Sequence, residues 1–470
     1  MNHKVSHTNR VTFLSAGMLS PKKRDHPLSR RQLYLNYGAL TLATKLEIEG
    51  YSAGLVHGGH RSPEECLISM IENGYLPSRY PLMLSLPSFY ALPWAQEFCR
   101  LFKTRFPSIA IVAGGRWVVG PDPSWLLDKL PEVSRVSVGL SESIIESLLL
   151  NSTSIMTRMQ SPTPNYFLNY RLVEDHLRFQ PSLEASRGCG MGCAFCEERD
   201  IPLGRLRTPD QLAENLEQTL AQYNGGVVHP YIESSFFAPN QSWANKLAVA
   251  TKQRNLNIKW RTETRADGMS SETVASLSEA GMSVVDIGLE TASPSQILAM
   301  KKTNKPDRYL EKASSLLKAC RDYGVQAKVN VLLYAGETEQ TLKETTSWLD
   351  MHADCIKGVS VGPVVAYGPP KTANLLIEDW EQYGASPVDS KSAMETGITA
   401  MNLSKNIDAE QAENIALNLA RRYMDSDDYY DLKSFSYYAR DFTRSQFNLD
   451  VAMSNPKDLP FSINRTSLKT

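Results

Sequence analysis

The chain has 470 residues, of which 42% are hydrophobic and 21% are charged, and its formal net charge is −1. This length is too great for one ordinary core and predicts two to three domains. Because no basic block accompanies the aromatic residues, a nucleic-acid partner has no electrostatic support. No apolar run reaches the roughly 18 residues that a membrane-spanning helix needs. The first one, VTFLSAGML, indicates a strand rather than a signal peptide. We therefore expect a cytoplasmic protein with no membrane partner.

Strand-like and helix-like segments alternate from the N-terminus to residue 150. Short β-branched runs predict strands, and the amphipathic stretches between them predict helices, the first over residues 31–49. This alternation is typical of a Rossmann-like, doubly wound α/β sheet, which we place at residues 8–150. Residues 151–181 show little periodicity and are interpreted as a connector.

A second alternating series begins at residue 183. Six strand–helix units follow with short links, and the last strand is predicted over residues 358–365. The series predicts a partial (β/α)6 barrel at residues 182–367, with its chemistry at the carboxyl ends of the strands. Residues 368–470 lack this rhythm, contain a clear helix over residues 409–424, and are interpreted as a small, mostly helical C-terminal cap domain.

Three of the seven cysteines are clustered in the stretch SRGCGMGCAFC, at Cys189, Cys193 and Cys196. In a reducing compartment, clustered cysteines are more often metal ligands than disulfides. Three thiolates can hold three irons of a cubane [4Fe–4S] cluster and leave one iron open to a ligand that is not protein. A structural zinc site would need a fourth ligand nearby, and a nucleotide-binding glycine loop would leave the cysteines unexplained. The scattered cysteines are expected to be inert thiols; these are Cys66, Cys99, Cys320 and Cys355.

The spacing C-x3-C-x2-C, with Phe195 before the last cysteine and a six-unit barrel after it, resembles the radical S-adenosylmethionine (SAM) superfamily. In that family the open iron binds SAM, which is cleaved reductively to methionine and a 5′-deoxyadenosyl radical. The resemblance implies that Glu233 is the acidic residue near SAM and that Arg265 pairs with the SAM carboxylate. It also implies that Glu290, in DIGLETAS, accepts hydrogen bonds from the ribose hydroxyls. A structural ion pair is the alternative for each of these three residues.

The N-terminal region resembles the cobalamin-binding domain of the B12-dependent branch of that superfamily. The likeness rests on LSLPSFYAL with Ser85, IVAGGRW with Gly114 and Gly115, and VSVGLSES with Gly139. These residues would border the corrin or its nucleotide tail, where absent side chains leave room. The motif D-x-H-x-x-G, which supplies a histidine to cobalt in many relatives, is absent, so no lower ligand is assigned. A Rossmann fold that serves only as a scaffold is the alternative.

Two further groups of residues are ambiguous. His57 and His60, in VHGGHRS, are interpreted as polar loop residues rather than metal ligands, because no carboxylate accompanies them. Aromatic and basic residues of the C-terminal region either line a substrate pocket or pack in a core. They are Tyr429, Tyr430, Tyr437, Tyr438, Arg440 and Arg444.

Together these resemblances imply a cobalamin-dependent radical SAM methyltransferase that acts on an unactivated carbon of a small-molecule substrate of the natural-product type. An electron donor such as flavodoxin or ferredoxin would reduce the cluster. One alternative is a radical SAM enzyme of the same architecture that catalyses a non-methylating rearrangement, cyclisation or oxidation. Another is a non-enzymatic iron–sulfur or cofactor-binding protein, which would leave the Glu290 strand unexplained.

Overall fold

The fold is taken from a computed structural model that describes residues 7–22, 24–115, 122–150, 155–156 and 163–463. Within these residues no helix is both long enough and apolar enough to cross a bilayer. Two six-stranded parallel sheets and one small antiparallel sheet organise the chain. Arg116 and Trp117 of the IVAGGRW stretch lie outside the described residues.

The N-terminal half folds around a parallel sheet with the strand order β2-β1-β3-β4-β5-β6. Its strands are Arg10–Ser15 (β1), Ser52–His57 (β2), Leu82–Ser85 (β3), Ile111–Gly114 (β4), Arg135–Val138 (β5) and Ile155–Met156 (β6). Its helices are Tyr37–Ile48 (α1), Pro63–Glu72 (α2), Leu92–Arg105 (α3), Ser124–Lys129 (α4) and Ile145–Leu150 (α5). The chain moves outward from β1 in one direction to β2 and in the other to β3. The crevice beyond the ends of β1 and β3 is therefore the topological switch point, where sheets of this kind bind ligands.

The first helix starts later than its periodicity predicts. Residues Pro27–Arg31 form a 3-10 turn, and α1 begins only at Tyr37. The side chain of Asn36 accepts a hydrogen bond from the backbone N–H of Ala39, which caps the helix at this point. The predicted start at residue 31 is therefore wrong, because a local cap outweighs the apolar pattern.

The second parallel sheet runs in strict chain order from β7 to β12. Its strands are Ser182–Glu184 (β7), Tyr231–Glu233 (β8), Trp260–Arg265 (β9), Met282–Glu290 (β10), Gln326–Leu333 (β11) and Gly358–Pro363 (β12). The helices between them are Pro209–Ala221 (α6), Gln241–Gln253 (α7), Ser271–Glu279 (α8), Pro294–Ala299 (α9), Pro306–Asp322 (α10) and Glu339–Asp350 (α11). Strands β7 and β12 form the two edges, so the predicted partial (β/α)6 barrel is confirmed.

The concave face of this sheet is polar. Side chains alternate along a strand, so Arg261, Glu263 and Arg265 of β9 share one face. Arg261 is fully buried, and it donates two hydrogen bonds to Asp286 of β10 over 2.5 and 2.8 Å. Lys328 of β11 donates to the same carboxylate over 2.8 Å. A fully buried charge needs such partners, so the barrel interior holds a compensated ionic layer rather than an apolar core.

The C-terminal region is mostly helical, as predicted, but it also contains a small antiparallel sheet that the sequence did not indicate. Its strands are Val365–Tyr367 (β13), Ser386–Pro387 (β14) and Ile398–Asn402 (β15), and its helices are Pro370–Glu381 (α12), Ser390–Thr396 (α13), Ala409–Tyr423 (α14), Ser426–Ser436 (α15) and Arg444–Met453 (α16). Strands of two to five residues are too short for alternation to reveal them. The predicted strand over residues 358–365 is divided between β12 and β13.

Candidate functional site

The cysteine loop leaves the end of β7 and folds tightly back on itself. Gly188, Gly190 and Gly192 have φ values of +76°, +64° and +74°, a region that favours glycine. A Cβ on Gly188 would lie 2.1 Å from the carbonyl oxygen of Pro202. The N–H of Cys189 donates to the carbonyl of Ile201 over 2.9 Å, which closes the loop. The path of the backbone therefore favours glycine at all three positions, and space also requires it at Gly188.

Each of the three thiols has a hydrogen-bond donor. The backbone N–H groups of Met191 and Glu198 donate to Cys189 and Cys196. Cys193 instead accepts a hydrogen bond of 3.2 Å from the guanidinium of Arg265. Burial raises the pKa of Cys189, and it raises the pKa of Cys196 to about 11. Sulfurs with inward-facing N–H donors are the ligand environment that iron–sulfur clusters use, so these residues fit a cluster.

Among the described residues, no group of three His, Cys, Asp or Glu side chains is placed to hold one metal ion.

Glu290 lies at the end of β10, in an uncommon left-handed backbone conformation with φ +62°. One of its carboxylate oxygens accepts a hydrogen bond of 3.0 Å from Lys302, which also donates to the carbonyl of Gly288. Burial alone would lower the pKa of Lys302, but the attraction of Glu290 outweighs it and the pKa is raised. The ion pair uses only Oε1 of the carboxylate. A carboxylate has two oxygens, so the predicted contact with a ribose is compatible with it.

Arg265 lies at the end of β9 with its donors directed at protein atoms. Its Nε donates to Asp267 over 3.0 Å, and its Nη2 donates to the backbone carbonyl of Lys302 over 2.9 Å. Its Nη1 is the donor to Cys193 described above. The predicted pairing of Arg265 with a SAM carboxylate would compete with these contacts.

Two carboxyl groups lie side by side within the barrel. Glu233, predicted near SAM, ends β8, and burial raises its pKa to about 7. Glu263 of β9 was not singled out in the sequence. Burial, followed by the like charge of Glu233, raises its pKa to about 8. The signal that would have found it is the alternation in WRTETR, which places three charged residues on one face of a strand.

Arg187 joins the cysteine loop to the N-terminal half of the molecule. It donates to Glu184 at the end of β7 over 2.8 Å and to Glu142 over 2.6 Å. Its side chain is only 10% exposed, so these ion pairs are well shielded from water. Glu142 belongs to the VSVGLSES stretch that carries the predicted Gly139. The hydroxyl of Tyr37, on α1, donates to Glu184 over 3.3 Å.

Two cavities meet where the two halves of the molecule face each other. The larger, of about 530 Å³, lies between the ends of β1 to β3, the barrel and the C-terminal helices. The smaller, of about 410 Å³, reaches Cys196 and Tyr367. Lys22, Pro87 and Ser88 line both cavities. The space beside the cysteine loop is therefore adjacent to the strand ends of the N-terminal sheet.

The predicted cobalamin residues lie at or near this edge. Ser15 and Ser85, which are paired across β1 and β3, both accept hydrogen bonds from the side chain of Asn36, over 2.9 and 3.0 Å. A Cβ on Gly114 would meet nothing closer than 3.9 Å, which leaves the open space that the resemblance requires. Gly115 follows with φ +141°, and a Cβ there would lie 2.2 Å from the carbonyl oxygen of Leu86.

Gly139 has φ +87° and follows the end of β5. None of the four predicted cobalamin residues lines the two cavities, whereas Ser15 and Ser88 do. Ser88 lies in the quoted LSLPSFYAL stretch but was not chosen as a site residue.

The two loop histidines line the larger cavity, and burial lowers the pKa of each. The Nε2 of His57 accepts a hydrogen bond of 2.9 Å from the backbone N–H of Asn36, and burial lowers the pKa of His57 to about 3. Its Nδ1 is buried and has no hydrogen-bond partner within the part of the chain that the structure describes. His60 lies 3.3 Å from the carbonyl oxygen of Met18.

The aromatic residues of the C-terminal region divide between the two interpretations. Tyr437 lines the larger cavity, and Tyr430 and Tyr438 pack in a hydrophobic cluster. Tyr429 does both. Of the two arginines, Arg440 donates to backbone carbonyls and Arg444 pairs with Asp427.

Comparison with known proteins finds that part of the chain is similar to a known family. Residues 183–349 match the model of the radical SAM superfamily. An uncharacterized methyltransferase of Pyrococcus horikoshii is 22% identical over 162 residues, which are 34% of this chain and 34% of that protein. The matched segment thus spans about a third of the curated relative.

Solved structures share the fold at low identity. The radical SAM methyltransferase TsrM from Kitasatospora setae, with tryptophan substrate and a SAM analogue bound, aligns with a TM-score of 0.59 and 17% identity, over 80% of this chain and 76% of that one. The cobalamin-dependent SAM radical enzyme OxsB, with aqua-cobalamin and SAM bound, aligns with a TM-score of 0.57 and 15% identity, over 94% of this chain and 66% of that one.

Proposed function

We propose that the whole chain is a cobalamin-dependent radical SAM methyltransferase, because residues 183–349 match the model of the radical SAM superfamily. Its substrate would be a small molecule of the natural-product type, methylated at an unactivated carbon. A one-electron donor such as flavodoxin or ferredoxin would reduce the cluster. The observation that carries the proposal is the junction at Lys22, Pro87 and Ser88, where the cavity beside Cys196 meets the strand ends of the N-terminal sheet.

The proposed cluster ligands are Cys189, Cys193 and Cys196. A [4Fe–4S] cluster, when bound, supplies the electron for reductive cleavage of SAM to methionine and a 5′-deoxyadenosyl radical. Glu290 would orient the ribose through the oxygen that Lys302 leaves free. Phe195 lies between Tyr334 and the ammonium of Lys302 and would cover one side of the cluster.

Cobalamin would lie along the ends of β1, β3 and β4, close to Ser85, Gly114, Gly115 and Gly139, and when bound it supplies a carrier for the methyl group. Asn36 would keep the switch-point crevice open, because it ties Ser15 and Ser85 to the start of α1. The carboxyl groups of Glu233 and Glu263 lie within the barrel, where burial raises their pKa values and so favours the protonated form.

The test is anaerobic reconstitution with iron, sulfide and hydroxocobalamin, followed by counting of iron, sulfide and corrinoid for each chain. We expect about four iron and four sulfide ions, as in a cubane cluster, and one corrinoid. Cys189→Ala, Cys193→Ala and Cys196→Ala should each lose the cluster and 5′-deoxyadenosine formation. Cys320→Ala should keep both, because Cys320 is buried in the barrel core. A protein that binds one zinc and no sulfide would contradict the proposal.

A second measurement separates methyl transfer from other radical chemistry without knowledge of the substrate. SAM labelled in its methyl group should pass the label to the bound corrinoid. A corrinoid that is bound but never labelled would favour the rearrangement, cyclisation or oxidation instead. Gly114→Phe should lose corrinoid and keep iron, because its side chain fills the open space at the end of β4. Loss of iron in that variant would contradict the assignment of the two sites.

A further inference from the structure

Cys193 differs from the other two cysteines in the kind of donor that its sulfur faces. Cys189 and Cys196 accept from backbone N–H groups, whereas Cys193 accepts from a charged guanidinium, Arg265, at 3.2 Å. A full positive charge in direct contact with a ligand sulfur acts more strongly than an amide dipole, since charge-assisted hydrogen bonds are about twice as strong as neutral ones.

Arg265 is held firmly in this position. Its side chain is only 8% exposed, and Asp267 and the carbonyl of Lys302 fix its other nitrogens at 3.0 and 2.9 Å. The ring of Tyr309 lies 5.9 Å from the guanidinium carbon. The guanidinium therefore cannot turn away from Cys193 without breaking buried hydrogen bonds.

The guanidinium of Arg265 contacts a carboxylate and the cysteine sulfur through different nitrogens. Asp267 approaches the Nε side of the guanidinium, and Cys193 approaches Nη1. Water is largely excluded here, because Cys193 is 7% exposed and Lys302 is 4% exposed. In such a site, electrostatic effects on a neighbouring group are larger than at the surface.

From this geometry we infer that Arg265 is a positioning residue that raises the reduction potential of the cluster through Cys193, rather than the partner of the SAM carboxylate. The inference rests on the proposed function, because it requires a cluster on the three cysteines. Reduction adds one electron from a one-electron donor to the cluster, and no bond breaks and no proton moves. The added negative charge is stabilised by the guanidinium, so loss of the guanidinium makes reduction harder.

The experiment measures the midpoint potential of the reconstituted cluster by EPR, with dithionite as reductant and without SAM. Arg265→Gln removes the positive charge and should lower the equilibrium constant for reduction of the cluster about tenfold. This corresponds to a midpoint potential lower by about 59 mV for a one-electron couple. Arg265→Lys keeps the charge but not the fork of donors, and should give a smaller decrease. Arg308→Gln, an exposed position on α10, is the matched control and should leave the potential unchanged.

Asp267→Asn provides a test of opposite sign. It removes the carboxylate that partly neutralises Arg265, so the midpoint potential of the cluster should rise. If Arg265→Gln fails to fold, this variant alone tests the effect of Arg265 on the potential. A potential that falls or stays constant in Asp267→Asn would overturn the inference. So would Arg265→Gln protein with a full cluster at the wild-type potential and a weakened affinity for SAM, which would mark Arg265 as a SAM ligand. A wild-type chain that binds no cluster would instead overturn the proposed function.

Discussion

Glu233 and Glu263 are two carboxyl groups whose ionisation is decided by the barrel and not by the sequence around them. Burial is the main cause of both raised pKa values. The two residues are neighbours because β8 pairs with β9. Sequence could place Glu233 at a strand end, but the proximity of Glu263 depends on strand register. Such register cannot be read from composition or periodicity.

These pKa values predict that the apo protein loses stability between pH 6.5 and pH 8. The carboxyl pKa is 4.5 in the unfolded chain and about 7 and 8 when folded, so in this window only the folded state holds the protons. Raising the pH removes them, and stability falls. The effect of His57 has the opposite sign, but its pKa is about 3 when folded and 6.5 in the unfolded chain, so most of its stabilising effect is gained below pH 6.5.

The measurement is the melting temperature at the two pH values. Glu263→Gln should reduce the decrease, because the neutral amide cannot ionise. Glu279→Gln, at an exposed position of α8, should keep the wild-type decrease. A Glu263→Gln protein with an unchanged decrease would show that Glu263 is already ionised in the folded state at pH 6.5.

The cysteine loop allows a comparison between two glycines of one element. A Cβ on Gly188 would lie 2.1 Å from the Pro202 carbonyl oxygen, whereas a Cβ on Gly192 would meet nothing within 4 Å. Both have positive φ, so alanine at either position costs about 1–2 kcal/mol of backbone strain. Only Gly188→Ala must also displace the backbone at Pro202, where the loop folds back on itself.

We therefore expect Gly188→Ala to lose most of its iron after reconstitution and Gly192→Ala to keep most of it. Iron and sulfide content measures this directly, and circular dichroism of the apo proteins checks that both variants fold. Equal iron content in the two variants would contradict the importance of the loop's return path.

At the scale of elements, the sequence predicted most of what the structure contains. Most strands and helices of both parallel sheets follow clear periodicity, and the cysteine loop was identified by its spacing. The start of α1, the two-residue strand β6 within the predicted connector, and the small sheet of β13, β14 and β15 were missed. A cap residue and strands of two to five residues carry too little pattern to outweigh their surroundings.

At the scale of the whole molecule, the two halves that contain the parallel sheets contact each other at the cysteine loop. Arg187, after β7, pairs with Glu184 beside it and with Glu142 from the N-terminal half. Removing the cation leaves two carboxylates in a site largely shielded from water. Arg187→Met should therefore destabilise the protein by about 3–5 kcal/mol.

A double-mutant cycle isolates the contact between the halves. Arg187→Met combined with Glu142→Gln should show a coupling free energy of about 1–3 kcal/mol in urea unfolding. The exposed pair Arg321 and Asp354, with side chains 45% and 62% exposed, is the control and should couple by less than about 1 kcal/mol. A coupling for Arg187 and Glu142 as small as that of the control would mean that this ion pair contributes little to holding the halves together.

The sequence could not identify Ser88 and Lys302 as residues near the site, because their positions depend on the whole molecule. Ser88 faces the cysteine loop only because the N-terminal sheet rests against the open side of the barrel. Lys302 reaches Glu290 only because of the turn after α9. Both positions follow from how distant segments pack, which local patterns do not encode.

The cavity beside Cys196 has walls from widely separated parts of the chain. Lys22 and Ser88 precede the cysteines, and Tyr367 and Ile398 follow them. A ribosome therefore releases the three thiols before Tyr367 and Ile398, and a nascent chain presents this side of the loop open to its surroundings. Enclosure of the proposed iron site is thus expected to be a late event in the maturation of the polypeptide. Iron and sulfide would have their widest access before the last quarter of the chain has folded into place.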